Sequence, residues 1–286
     1  MLQQAVLDRF GARWPELPDT LAHHVAGMQR QRDCAQHVEL APGGAQFSLA
    51  CLGTVSEDEA LFHLVVRAIG TDEPDLTLTF VTDRSGGSKA PGSLDISRRR
   101  WADMNLAGLE LPGACLRSVA IERCVLDGAR LSGVRMHQCR WLEVRAGQAD
   151  LTRATLDQCT WTDTCLDRAA LEDSTWTDSV LQRVETSACD WSGARLTDCV
   201  GMGWSAPRCR WKLTHFSHCI LDTTSALPAE ASPTCLGRRS DLMVEGDSVL
   251  VNADAPSFMN DFCDTLRSLG VSSFHVRGGS IWVRDT

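Results

Sequence analysis

A period of five residues runs through the middle of the chain and constrains its fold more than any other feature. From Leu106 to Leu221, 20 of the 24 residues at five-residue intervals are large and apolar. Neither an α-helix, with about 3.6 residues per turn, nor a flat strand, with a side-chain period of about 2, keeps such a pattern on one face. The chain must therefore turn once in every repeat.

A second series, mostly of small residues, lies two positions before the first. If four turns close a square, the stacked squares hydrogen-bond like neighbouring strands, about 4.8 Å apart, and residues twenty apart lie one above the other. Cysteine then serves as a compact apolar filler, a role for which it is well suited. The spacing predicts a structural inward ladder that contains Cys139, Cys159, Cys199, Cys219, Trp141, Trp161, Cys189, Cys209, Trp191 and Trp211.

The segments ADMNL at 102–106, GQADL at 147–151 and SACDW at 187–191 resemble the unit A(D/N)Lxx of the pentapeptide-repeat family. The resemblance implies a mainly β fold, a right-handed quadrilateral β-helix of about six coils over residues 95–226. The chain departs from the family pattern by placing Trp where Leu or Phe is usual. The segment MGWSA at 202–206 breaks the period most, and a bulge or an exposed loop is expected there.

The regions that flank the repeats have the composition of folded caps. Residues 1–82 predict an α/β domain with helices near residues 2–14 and after Asp19, and strands at 46–52, 60–69 and 76–82. Residues 83–94 and 227–240 have linker composition. Residues 241–286 predict a ββαββ cap, with strands at 242–244 and 249–251, a helix at 256–269, and a hairpin that pairs 274–276 with 281–283.

Composition favours a protein that acts in the cytoplasm by binding rather than by catalysis. No apolar run is long enough to span a membrane, and the first residues do not resemble a secretory signal. The 13 cysteines include no CxxC pair, so neither a zinc site nor a disulfide framework is expected. No nucleotide, hydrolase or metalloprotease motif is present, and the sequence predicts no enzyme, cofactor or metal.

The expected partner is another protein. The net charge of −9 argues against direct nucleic-acid binding, and two charged clusters are candidate partner contacts: Arg98, Arg99 and Arg100, and Glu172, Asp173 and Asp178. The resemblance implies a non-catalytic bacterial scaffold or adaptor, with a type VI secretion accessory protein as one version. Two alternatives remain open: a DNA-mimicking modulator of a type II topoisomerase such as gyrase, and a translocated effector.

Overall fold

A helix and an antiparallel sheet precede a parallel β-solenoid, whose first sheet continues into further antiparallel strands. The computed structural model describes Trp14 and residues 17–28, 36–40, 45–69, 75–83, 88–91, 94–217, 219–221, 240–245, 248–253, 274–277 and 280–283. The predicted helices near residues 2–14 and at 256–269 lie outside the described residues.

The N-terminal unit is one helix, α1 (Leu17–Met28), on a five-stranded antiparallel sheet in the order β1-β2-β3-β4-β5. The strands are β1 (Gln36–Leu40), β2 (Ala45–Thr54), β3 (Glu59–Ala68), β4 (Leu76–Asp83) and β5 (Ser88–Lys89). The strands predicted from residues 46, 60 and 76 onward match β2, β3 and β4. The helix that was predicted to follow Asp19 begins at Leu17, and Asp19 lies in its first turn. Strand β5 lies within the segment that has linker composition.

Alternation along these strands gives the sheet two buried faces, as the side-chain period of a strand requires. One face packs against Leu17, Leu21, Val25 and Met28 of α1 through residues that include Phe47, Leu49, Phe62, Leu64 and Phe80. The opposite face presents Ala50, Leu52, Leu61 and Val81 to the first coil of the solenoid. The sheet is therefore a layer between the helix and the solenoid.

The solenoid has four faces, and its register confirms the predicted coil of twenty residues. The first face carries seven parallel strands, β6 (Asp95–Ser97), β8 (Cys115–Arg117), β10 (Arg135–His137), β12 (Thr155–Asp157), β14 (Thr175–Thr177), β16 (Arg195–Thr197) and β18 (Thr214–Ser217). The second face carries β7 (Arg100–Ala102), β9 (Ala120–Glu122), β11 (Arg140–Leu142), β13 (Thr160–Thr162), β15 (Val180–Gln182), β17 (Val200–Met202) and β19 (Ile220–Leu221). Isolated parallel bridges build the third face, from Asn105 to Ser205, and the fourth, from Glu110 to Arg210.

The coils turn at residues with positive φ, two positions after each large inward residue. Among the described residues, 18 of these are not glycine, with φ between 48° and 59°. The left-handed conformation costs about 1–2 kcal/mol for such a residue. Corner amides gain partners in the next coil: the Asp103 amide donates to Glu122 O at 3.0 Å, and the Asp163 amide to Gln182 O at 3.0 Å. Stacking therefore offsets the strain that the repeat imposes at its corners.

The segment 202–206 is neither a bulge nor an exposed loop, so that expectation was wrong. Ser205 bridges Glu185 in the regular register, and Trp204 is fully buried in a series of sites that mostly hold small residues. The neighbouring large-residue sites hold Gly201, Ala206 and, one coil earlier, Thr186. The volume that these small residues release accommodates the indole ring.

Beyond the coils, the sheet of the first face continues in antiparallel strands. β18 pairs with β20 (Ser240–Glu245), and β21 (Ser248–Ala253), β23 (Ser280–Val283) and β22 (Phe274–Arg277) follow in that order. The predicted hairpin is present: Phe274 pairs with Val283 and Val276 with Ile281. This end of the first-face sheet is therefore covered by another strand.

Candidate interaction surface

The junction between the N-terminal sheet and the first coil is a set of specific polar contacts. The indole of Trp101 donates to the carbonyl of Leu52 at 3.0 Å, and the Arg99 guanidinium donates to the Thr54 hydroxyl. Gly108 permits close approach of β4, since a Cβ at that position would lie 2.7 Å from Thr77 Oγ1. The first coil is thus fixed to the sheet, and this end of the solenoid is closed to a partner.

His63 lies fully buried in this junction. Its Nε2 donates to Ala107 O at 2.9 Å, because a carbonyl oxygen can only accept. Its Nδ1 therefore accepts from the Thr79 hydroxyl at 2.9 Å, and that hydroxyl oxygen accepts from the Glu110 amide at 2.9 Å. Burial lowers the pKa of His63 to about 4. The neutral imidazole joins the sheet to the first coil, and no sequence signal indicates it, because the contact depends on docking.

The three candidate arginines at residues 98–100 have different surroundings. Arg99 is enclosed by the junction, and Arg100 pairs with the carboxylate of Glu122 at 2.6 Å. Arg98 is exposed at a left-handed corner. Of the three arginines, only Arg98 is exposed while taking part in neither the junction nor the contact with Glu122.

Glu122 forms a clamp on the second face that sequence reasoning missed. Its side chain is only 5% exposed and lies between Arg100 of the preceding coil and Arg140 of the following one. Hydrogen bonding by Arg100, followed by that of Arg140, lowers the pKa of Glu122 against the opposing effect of burial. The spacings of 22 and 18 residues, each close to one coil, were the signal that could have revealed it.

Other exposed charges are neutralised between neighbouring coils. Arginine pairs with an acidic residue in Arg123–Asp103, Arg183–Asp163, Arg130–Glu110, Arg210–Asp190 and Arg145–Asp127, at distances from 2.6 to 3.3 Å. Such pairs contribute little stability each. They alternate positive and negative charge along the faces, whereas a surface that imitates DNA would be continuously acidic.

The predicted acidic cluster is divided by strand β14. Glu172 and Asp173 lie at the corner before this strand and line a depression of about 490 Å³ together with Ser132, Gly133, Asp150, Thr152 and Arg153. Asp178 lies at the corner after it. Both aspartates are exposed and Glu172 is half-buried. The three carboxylates therefore border one face of the solenoid rather than forming a single cluster.

The inward ladder fills the interior between the faces. Cys139, Cys159, Cys189 and Cys199 are at most 2% exposed, Cys219 is 8% exposed, and Cys209 is half-buried. The indoles form a continuous column with ring-centre distances of 4.2 Å (Trp141–Trp161), 5.2 Å (Trp161–Trp176), 5.4 Å (Trp176–Trp191), 5.3 Å (Trp191–Trp204) and 5.6 Å (Trp191–Trp211). Trp204 was absent from the predicted ladder, although Gly201 and Ala206 were the signal that space is available there.

In the part of the chain that the structure describes, no group of three or more His, Cys, Asp or Glu side chains is placed to hold a metal ion. No described helix is long and apolar enough to cross a membrane. The surface chemistry described above is suited to hydrogen bonds and ion pairs with a partner.

No known family model and no curated protein matches this sequence. The solved structures that it resembles include pentapeptide repeat proteins. QnrB1, a plasmid-mediated fluoroquinolone resistance protein, is 15% identical, with 46% of this chain and 85% of that chain covered and a TM-score of 0.24. Rfr23 of the cyanobacterium Cyanothece 51142 is 11% identical, with 46% and 86% covered and a TM-score of 0.25. HetL of Nostoc sp. strain PCC 7120, involved in heterocyst differentiation regulation, is 13% identical, with 51% and 91% covered and a TM-score of 0.19.

Proposed function

We propose that this protein is a non-catalytic scaffold or adaptor that binds another protein along the long sides of its solenoid. The observation that carries the proposal is that the N-terminal sheet covers the first coil and that the first-face sheet continues beyond the last one. The N-terminal sheet covers the first coil through Trp101 and His63, and β20 continues the sheet beyond β18. A partner therefore meets the outward side chains of the four faces, which repeat every 4.8 Å or so along a packed core.

The first face and its two corners are the proposed contact surface. Asp173 and Asp178 border this face on either side of β14, and Glu172 lines the adjoining depression. Among the described residues, none of these three carboxylates forms an ion pair, unlike those of Asp103, Asp163 and Asp190. Unpaired exposed carboxylates favour a partner with basic side chains, whose attraction also speeds association. Arg98, at the same corner as Asp178, extends the surface toward the N-terminal unit.

Charge reversal tests the surface. The double variant Asp173→Lys with Asp178→Lys changes both corners of the first face, and Glu143→Lys, an exposed left-handed corner residue on the opposite side, is the matched control. Affinity capture from the source organism should recover the same partner with the wild-type chain and the control, and lose it with the double variant. Equal recovery with all three proteins would contradict the proposed surface.

The identity of the recovered partner distinguishes between the more specific functional alternatives. Type VI secretion spike components would support an accessory role in that system, for which the support is resemblance to family members only. Gyrase or topoisomerase IV subunits would support the DNA-mimicking alternative, which the pairwise neutralisation of charges disfavours. Recovery from a host cell extract alone would support a translocated effector.

A further inference from the structure

Three pairs of cysteines are stacked one coil apart inside the solenoid. They are Cys139–Cys159 and Cys199–Cys219 on the second face, and Cys189–Cys209 on the fourth. In each pair the thiols occupy equivalent positions. The Cys189 thiol donates to Leu166 O at 2.8 Å, and the Cys209 thiol donates to Thr186 O, one coil further on, at 2.6 Å.

The register places Cys189 and Cys209 within the range of a disulfide. The Arg210 amide donates to Cys189 O at 2.9 Å, and Asp190 bridges Arg210 directly. Stacked strands lie about 4.8 Å apart, and the Cα atoms of bridged cysteines usually lie about 4.4–6.8 Å apart. The Cys189 and Cys209 thiols contact carbonyl oxygens at equivalent places in successive coils. Bond formation requires them to turn from their carbonyl acceptors toward each other.

Access distinguishes this pair from the others. Cys209 is half-buried, whereas Cys139, Cys159 and Cys199 are at most 2% exposed and Cys219 is 8% exposed. Cys189 is buried beneath Cys209. Of the fourth-face pair, Cys209 is therefore the residue that an oxidant in solution meets, and Cys189 is the buried one.

The two thiols also differ in acidity, and the more accessible thiol is the more acidic one. The neighbouring Cys189 thiol lowers the pKa of Cys209 against the opposing effect of burial. The same contact, followed by burial, raises the pKa of Cys189. A more acidic and accessible thiol beside a resolving thiol is the usual arrangement of an oxidisable cysteine pair.

We propose that Cys209 and Cys189 form an oxidation site for hydroperoxides. The Cys209 thiolate attacks the terminal oxygen of a hydroperoxide, the O–O bond breaks, and the alcohol or water leaves with a proton to give the Cys209 sulfenic acid. The Cys189 thiol then attacks the Cys209 sulfur, expels water, and forms a disulfide between adjacent coils. Two thiols lose two hydrogens, and one peroxide is reduced.

The test is peptide mass mapping of the full chain after treatment with hydrogen peroxide, with free thiols alkylated before digestion. We expect a Cys189–Cys209 disulfide to form at least tenfold faster than oxidation of Cys139 or Cys159, and to disappear after reduction. Cys209→Ser should abolish it, and Cys159→Ser should leave it unchanged. Serine occupies the same type of inward site at Ser174 and Ser179, so both variants should fold, which circular dichroism checks.

Two results would overturn the proposal. One is oxidation of Cys139 and Cys159 at the same rate as Cys189 and Cys209, because access would then not select the pair. The other is progress of Cys209 to sulfinic acid with Cys189 still reduced, because Cys189 would then not act as the resolving thiol.

Discussion

The early and late coils of the solenoid share one backbone register but fill their interiors differently. From Leu106 to Met136 the large inward sites hold Leu, Ile and Met, whereas from Trp141 to Trp211 they include a column of indoles. Where the rings of Trp191, Trp204 and Trp211 meet, Trp204 occupies a site of the small-residue series. Gly201 and Ala206 occupy sites of the large-residue series. The repeat therefore fixes the position of each inward side chain and the volume of each coil, but not which site holds the larger residue.

The indole column also leaves polar groups unpaired that the aliphatic coils do not contain. Among the described residues, the Nε1 atoms of Trp141, Trp161, Trp191 and Trp211 are buried without a hydrogen-bond partner. Each such group costs about 1–3 kcal/mol. The aromatic coils are stable only because ring burial and ring stacking together exceed this cost.

The largest expected effect compares one large residue from each region. Trp161→Ala removes a fully buried ring that contacts Trp141 and Trp176, and it should lower the free energy of unfolding by about 5 kcal/mol. Leu126→Ala, fully buried in the early coils, should cost about 3 kcal/mol. Denaturant unfolding measures both. An equal or smaller loss for Trp161→Ala would show that the column is loosely packed.

The junction with the N-terminal sheet should give the next largest effect, as a function of pH. The pKa of His63 is about 4 in the folded chain and 6.5 when exposed, so the unfolded chain binds the proton first as pH falls. The contribution of His63 to the free energy of unfolding should therefore be fully present above pH 6.5, decrease between pH 6.5 and 4 by up to about 3 kcal/mol, and change no further below.

His63→Gln supplies the control, because an amide does not titrate in this range. The variant should lose the decrease between pH 6.5 and 4 while it keeps the loss at lower pH that protonation of Glu122 causes. An unchanged pH profile in this variant would show that the imidazole does not link the sheet to the first coil.

A smaller effect is expected from the charges on the faces. Glu122→Gln breaks a buried clamp between two arginines whose own side chains are 62% and 58% exposed. Because solvent screens those arginines, the expected loss is about 1–2 kcal/mol. Glu110→Gln, which breaks an exposed pair with Arg130, should change the free energy of unfolding by less than about 0.5 kcal/mol. Equal losses would show that burial of the carboxylate is unimportant.

The sequence predicted the coil, its register and the hairpin of residues 274–283, because each depends on a local period. It did not predict that Trp204 is buried at a small-residue site. That arrangement can be inferred only when the small volumes of Gly201, Ala206 and Thr186 are considered together. It did not predict the His63 or Glu122 contacts, since both join residues that are distant in sequence or in different units. The assignment of the acidic residues around Glu172 to a partner contact stays a prediction, and their division by β14 requires the coil geometry.

The most direct test of the volume argument is a double-mutant cycle at Trp204 and Ala206, measured as free energies of unfolding. Trp204→Ala should cost about 3–5 kcal/mol and Ala206→Leu about 1–3 kcal/mol. The double variant restores the usual order of a small residue followed by a large one. If the total side-chain volume of the coil is what matters, the double variant should lose less free energy of unfolding than the sum of the two single losses, by at least about 1 kcal/mol. Additivity within about 0.5 kcal/mol would contradict the account, because each site would then specify its own residue independently.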